Sequence, residues 1–338
     1  MNELLKRHRW TILSGLLVLL FIVNISFGSV AIPIEETITM IFGGTPQNPV
    51  WKDIFVDFRL SKAFTCVLAG GALSLGGLMM QTLFRNPLAG PDVLGLSSGA
   101  SLSVALLVMA AGTALPLITG PFTTAIAATL GSGMIFIIVL AVAQRIKDNT
   151  SLLLIGLMIG AAASSLVSVL QFTSRIEDQH YFLVWTFGSM GSLNWNEIAI
   201  LGIVFLVGLI ISLLVSKPLN AWLLGDNYAK SLGIRLQQSR TLIIICTCLL
   251  TGSVTAFCGP IAFVGLAVPH LTRLLINTTN HKLLIPGVVI AGGAIMLLCD
   301  TVAQLPGSSY VLPINAVTSL IGAPVVIWVI VRSKKIWI

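Results

Sequence analysis

Charge is the scarcest commodity in this sequence. Of 338 residues only 9% are Asp, Glu, Lys or Arg, while 56% are hydrophobic; a soluble domain usually carries about 25% charged residues. A core built from a chain of this size cannot absorb so much apolar surface, which excludes a soluble globular protein and leaves lipid as the solvent for the remainder. Paired cysteine motifs are missing as well. Cys66, Cys246, Cys248, Cys258 and Cys299 lie in or beside apolar runs with no CxxC, so they read as small buried hydrophobes and not as disulfides or metal ligands. No GxxxxGK[ST] loop is present, so the chain has no such cradle for a nucleotide phosphate. The four histidines, His8, His180, His270 and His281, stand at span ends without metal-ligand spacing and read as structural or solvated.

What the sequence does contain is a succession of long apolar runs. A membrane helix needs about 20 mostly apolar residues, and the pattern predicts ten, centred near residues 20, 72, 102, 131, 161, 206, 248, 267, 293 and 320. Between the seventh and eighth, CGP at 258–260 interrupts an almost continuous run. The stretch from Trp10 to Phe27 follows a basic start and precedes a small-x-small pattern at Ser29 and Ala31. It is too long for a signal core and nine spans follow it, so an uncleaved first helix is expected. With ten spans and the N-terminus inside, fifteen Lys and Arg residues fall on inner segments and four, Lys52, Arg59, Lys62 and Arg175, fall outside. That asymmetry is the positive-inside pattern. Both termini are therefore expected in the cytoplasm, and the net charge of +7 reflects topology, with no nucleic-acid partner needed. The expectation is an all-α integral protein of the cytoplasmic (inner) membrane, with residues 1–338 forming one transmembrane domain.

Four features stand against this background. LGDNYAKSLGIRLQQSR at 224–240 lies between spans six and seven. Asp226 is a good N-cap and Gly233 suits a left-handed helix end, which leaves a helix of about seven residues, marginal alone in water. Tyr228 and Leu232 share one of its faces. A helix lying on the membrane and a docking element for a cytoplasmic partner both fit. RNPLAGPDVLGLSSGA at 85–100 reads as a tight turn in which Asp92 caps the next helix, with Gly95, Ser97, Ser98, Gly99 and Ala100 permitting close packing. AGGALSLGG at 69–77 fits either a close helix interface or a narrow pathway. Asp300, near the outer end of span nine, is a functional candidate because an ionisable group is costly there. Without a second carboxylate as relay partner it reads as a packing or capping residue; a proton-coupled secondary transporter using Asp300 is the alternative.

RLSK at 59–62, GGALSLGGLMMQTLFRNPLAGPDVLGLSSGA at 70–100, LGDNYAKSLGI at 224–234, GPIAFVGLAVPHLTR at 259–273 and LPINAVTSLIGAPVVIW at 312–328 fall in that order along the chain. Together they resemble the FecCD-type permeases, the membrane subunits of type II ABC importers for ferric siderophores, haem and cobalamin. The resemblance covers nearly the whole chain. It implies ten membrane helices and a two-fold dimer with a second permease copy, expected to be a homodimer, with the substrate path between them. It also implies a cytoplasmic ABC ATPase dimer that holds ATP–Mg and an extracytoplasmic substrate-binding protein. The chain itself would be no enzyme and would bind no cofactor or metal.

Carried onto this sequence, the resemblance makes Gly225, Asp226, Tyr228, Ala229, Ser231, Leu232 and Gly233 the ATPase-coupling element, within a cytoplasmic segment of about 217–240. Asn86, Leu88, Thr150 and Ser151 would close the cytoplasmic end of the path, Thr150 and Ser151 also capping span five. Arg59 and Lys62 would pair with carboxylates of the binding protein at the outer mouth, where the residues alone would suggest an Arg snorkelling to headgroups. Spans 2–5 and 7–10, offset by five, are expected to form an inverted repeat. The sequence departs from the family pattern at Gln304, where a basic residue is common, at Val311 in place of Glu before Leu312 and Pro313, at Asn315 in place of Gly, and in RLSK for RLPR. The outer docking surface is therefore expected to use fewer charges or a different binding protein.

Overall fold

In lipid every backbone N–H and C=O must find its partner inside the chain, so apolar runs of this length become helices. A computed structural model describes residues 2–28, 30–111, 121–146, 148–304 and 310–332, and ten helices organise it: α1 (Asn2–Ser26), α2 (Ser61–Leu83), α3 (Leu96–Ala105), α4 (Pro121–Arg145), α5 (Asn149–Thr173), α6 (Trp195–Leu214), α7 (Leu236–Cys258), α8 (Val264–Ile276), α9 (His281–Ala303) and α10 (Ile314–Arg332). Each sequence-predicted centre falls inside one of them. Seven, namely α1, α2, α4, α5, α6, α7 and α9, are long and apolar enough to cross a membrane, whereas α3, α8 and α10 are shorter apolar helices. Ser29, Lys147, Lys334 and Lys335, used in the sequence reading, lie outside the described residues, as do the side chains of Lys6, Arg7 and Arg332.

The short helices have local causes. After α7 the chain turns at Gly259 (φ 79°), and α8 starts only after Phe263, itself left-handed at φ 66°. This is the break that CGP announces. Helix α3 likewise opens on a left-handed residue, Gly95 at φ 76°. Asp92 does not cap it: a 3-10 turn, Pro91–Leu94, is inserted first, and the Asp92 carboxylate accepts from Ser97 Oγ at 2.6 Å. The extra turn after Pro91 moves the helix start three residues beyond the sequence expectation.

Connections alternate between two ends of the bundle. At one, here the basic end, Arg85 meets the carbonyl of Trp222, Asn149 meets that of Leu83, and Asn220 meets Asn280 and His281. At the opposite end, Arg59 reaches the carbonyls of Ile25 and Ser26, Ser189 N–H reaches Cys258, and Asn315 reaches Phe187. Neighbouring helices therefore run antiparallel, and two sets offset by five run in opposite senses. Their packing corresponds pair by pair: α2 on α9 matches α7 on α4, α2 on α8 matches α7 on α3, and α3 on α4 and α5 matches α8 on α9 and α10. Gly95 and Phe263 are the matching left-handed starts of α3 and α8. These are the marks of an inverted repeat that the sequence echoes only faintly.

Helix α2 is the axis of the molecule. Over the most apolar 18 residues of the continuous helix Pro49–Leu83, 83% are buried within the chain, against 28% in α5 and in α6. The glycines make this possible. A Cβ on Gly77 would lie 1.7 Å from the Gly265 carbonyl oxygen of α8, and one on Gly70 would lie 2.2 Å from that of Gly292 in α9. Backbones at that separation admit no side chain. AGGALSLGG is thus a helix interface, and the pathway reading of these residues falls away.

Candidate functional site

At the basic end the polar stretch 224–240 folds into a helix of six residues, Asp226–Ser231. Gly225, at φ 108°, takes the N-cap position, so Asp226 is the first helical residue and does not cap. Its carboxylate turns back, accepting from Trp222 Nε1 at 3.0 Å and pairing with Arg85. Arg85 also donates through Nε to the Trp222 carbonyl at 3.2 Å. A helix too short to persist alone is therefore clamped by the turn that follows α2, a role for Arg85 the sequence reading missed. The only signal was its place as the lone basic residue in the 85–100 stretch. Gly233 is left-handed at φ 77°, as expected, and lets Ile234 N–H return to the Ala229 carbonyl at 3.1 Å. Ala229 is fully buried against its own chain, so it seats the helix on the bundle. Tyr228 and Leu232 are exposed at 49% and 57%, and Ser231 is exposed beside them.

The expected gate residues sit nearby. Asn86 Oδ1 accepts from Leu88 N–H at 2.9 Å, and the Leu88 side chain is exposed. Asn149 donates to the Leu83 carbonyl at 2.7 Å, which joins the start of α5, with Thr150 and Ser151, to the end of α2. Thr150 and Ser151 do not cap α5. Asp148 does, accepting from both N–H and O–H of Ser151 at 2.7 Å. Those donors hold its carboxyl below the usual carboxylate range.

At the opposite end the two basic residues have partners within the chain. Arg59 is only 3% exposed, and its guanidinium donates to the carbonyls of Ile25 (3.1 Å), Ser26 (2.9 Å) and Val30. It closes the C-terminal end of α1, where the helix dipole favours a cation; as placed, it neither snorkels nor stands free. Lys62 pairs with Asp300 at 3.5 Å. Asp300 Oδ2 also accepts from Asn24 Nδ2 at 2.8 Å and Gln304 Nε2 at 2.6 Å. The partner of Asp300 is thus a lysine at the start of α2, the helix packed against its own, and no spacing rule connects the two. Arg59, Lys62, Asp300, Gln304 and Val311 line one cavity of about 440 Å³. The departures gather here, and Asn315 beside it has its own task, its Oδ1 accepting from Ala262 N–H at 3.1 Å. His270 and His281 are buried and bonded to the Pro87 carbonyl and to Thr82 and Asn220, structural uses as expected.

Between the two ends, α5 turns an uncovered face outward. Leu154, Met158, Ala161, Ser165, Ser168 and Phe172 follow one another at helical spacing and are all exposed. Its middle is small and hydroxylated, its ends bulky.

Comparison with known proteins agrees with this architecture. The FecCD transport family matches residues 16–332. The chain is 34% identical over 292 residues to the hemin transport system permease protein HmuU of Yersinia pestis, covering 86% of this chain and 87% of that one. It is 36% identical over 284 residues to the vitamin B12 import system permease protein BtuC of Salmonella typhi, covering 84% and 85%. Among solved structures, a metal-chelate type ABC transporter in an inward-facing conformation superposes with a TM-score of 0.81 at 27% identity, over 97% of this chain and 99% of that one. PsaBC of Streptococcus pneumoniae, at 16% identity and a TM-score of 0.54, shares the fold alone. The chain is a multi-pass membrane protein and belongs to the FecCD transport family.

Proposed function

We propose that this chain is the permease subunit of an ABC importer that carries an iron complex, such as a ferric siderophore or haem, or cobalamin, across the cytoplasmic membrane. The observation that carries the reading is the clamped helix Asp226–Ser231. Six residues that would melt alone are fixed by Arg85 and Trp222, while Tyr228 and Leu232 are left uncovered. Such an element transmits force only if another polypeptide seats on it. In this reading that polypeptide is the ATPase of an ABC transporter, the class of the structural neighbour, and the chain itself has no GxxxxGK[ST] loop. The relatives transport hemin and vitamin B12, which gives the class of cargo.

In this reading all ten helices cross the membrane, the shorter apolar helices α3, α8 and α10 included, and both termini are cytoplasmic. A second copy, in a homodimer, faces the small-residue middle of α5, and cargo passes between the copies. ATP binding and hydrolysis in the ATPase dimer rock the two permeases through Gly225, Asp226, Tyr228, Ala229, Ser231, Leu232 and Gly233, so access alternates. Asn86, Leu88, Thr150 and Ser151, at the α2–α5 junction, close the cytoplasmic end. A binding protein docks at the mouth formed by the 440 Å³ cavity, and there its carboxylates compete with Asp300 for Lys62 and with backbone carbonyls for Arg59. The same pairing weighs against a proton relay through Asp300, which already has a cation and two amide donors.

Purification in mild detergent, with the accompanying chains identified and weighed, tests this. Two ATPase copies with two permeases, lost when Leu232 and Gly233 are disrupted, is the expected result. A permease that purifies alone and transports in proteoliposomes without ATP would sink it.

A further inference from the structure

A second cavity, of about 520 Å³, opens at the basic end behind the clamped helix. Asp226 and Lys230, one turn apart, line it, and so do Arg235, Arg240, Asn149 and Gln237. Tyr228 and Leu232 do not; at about 200° further round the helix they point elsewhere, so a partner seated on them leaves this cavity open. Its lining is net basic, with Lys230, Arg235 and Arg240 set against Asp226, and with Asp148 acting on Arg240 from beside it. Asp226 is already paired with Arg85, whereas Lys230 and Arg235 are exposed and have no ion pair among the described residues. Arg240 forms part of its buried wall, held by a 2.7 Å bond to the Ile146 carbonyl. The first turn of α7 adds backbone N–H groups at Leu236 to Gln238, and no side chain caps them. Cationic side chains and a bare helix N-terminus converge here on one anion-sized space.

The cavity also has a location. It lies between the starts of two membrane helices, α5 at Asn149 and α7 at Leu236, and the ends of spans are where a chain meets lipid headgroups. Basic pockets between membrane helices on the cytoplasmic side take anionic headgroups. We propose that this cavity is a binding site for the phosphate of an anionic membrane phospholipid, seated directly behind the coupling helix; its assignment to the cytoplasmic leaflet rests on the orientation in the reading above. A lipid there braces the face of the helix opposite to the one that meets the ATPase, so coupling depends on membrane composition.

The test uses the full chain purified alone and placed in phosphatidylethanolamine nanodiscs with or without phosphatidylglycerol, with retained lipid counted by native mass spectrometry. Wild type should retain phosphatidylglycerol selectively. Each basic residue near the surface is worth about fivefold in binding, so K230A/R235A should weaken retention about 30-fold, while K230R/R235K keeps it. K217A/K282A removes the same charge elsewhere at this end, and retention should not change. Equal retention of both lipids, an unaltered K230A/R235A variant, or an equal loss in K217A/K282A would overturn the proposal. Inorganic phosphate that binds and is not displaced by phosphatidylglycerol would also overturn it, leaving a small-anion site. Because no ATPase is present, failure of the importer reading leaves this result untouched, and labelling of residue 230 by an impermeant reagent reports the leaflet separately.

Discussion

Removing the Asp300 carboxylate should destabilise this protein without abolishing what it does. At 3.5 Å from Lys62, the pair's attraction is about 5 kcal/mol at an effective dielectric of about 20, most of it offset by the cost of drawing both charges out of water. Deleting one partner does not recover that cost for the other, and such deletions cost about 3–5 kcal/mol. Lys62 keeps 16% of its side chain exposed to the cavity, so the lower bound applies: Asp300→Ala should lose about 3 kcal/mol, part of it from the stranded amides of Asn24 and Gln304. Lys62→Met should lose a similar amount. Lys62→Met with Asp300→Ala should lose clearly less than the sum of the two single losses, because no charge is then stranded, a coupling that a double-mutant cycle reads directly. The five cysteines are all buried, so a thiol-reactive fluorophore in a thermal ramp reports unfolding of the detergent-solubilised chain without added labels. Additive losses in the cycle would refute the buried-pair argument. An Asp300→Asn variant that melts like wild type yet blocks uptake would refute it more severely, since the acid would then be a working group of a proton-coupled transporter.

Four further outcomes follow from the geometry. Gly77→Leu would drive a side chain into the Gly265 carbonyl and should cost more than about 4 kcal/mol, seen as loss of folded protein on size exclusion; Gly133→Ala, with nothing within 4 Å of its Cβ, should be neutral. Gly233→Val forces a β-branched residue to φ 77°, a strain of about 1–2 kcal/mol confined to the coupling helix, so the chain should stay folded while the ATPase no longer co-purifies. Arg59→Ala strands the carbonyls at the end of α1 and should lower stability by about 3 kcal/mol, a loss Arg59→Lys recovers only in part because an ammonium cannot span them as a guanidinium does. Asp148 has its pKa depressed by Ser151. Its contribution is therefore complete above the ordinary carboxylate pKa near 3.9 and disappears as pH falls through its lower folded value; in Asp148→Asn, which still caps, that acid-side loss in the melting curve should vanish.

The sequence by itself determined the class, the family and the placement of the helices. A hydrophobic run needs no tertiary information to become a helix in lipid, because its hydrogen bonds are all local, and Gly233 ends its helix for a reason equally local. Cap positions were legible only to within a turn: Asp148 caps α5 in place of Thr150 and Ser151, while Asp92 and Asp226 give way to Gly95 and Gly225, left without a side-chain cap where the chain turns at positive φ. What the tertiary structure alone decided were the partnerships. Asp300 with Lys62, Asp226 with Arg85 and Arg59 with the end of α1 join residues 33 to 238 positions apart, and no periodicity encodes such pairs. The same holds for AGGALSLGG, whose glycines serve interface and pathway equally well until α8 and α9 are seen pressed against them. A charge or a glycine reads alike whether it faces solvent, a partner or its own chain, because what it does there depends on which helix the fold brings beside it.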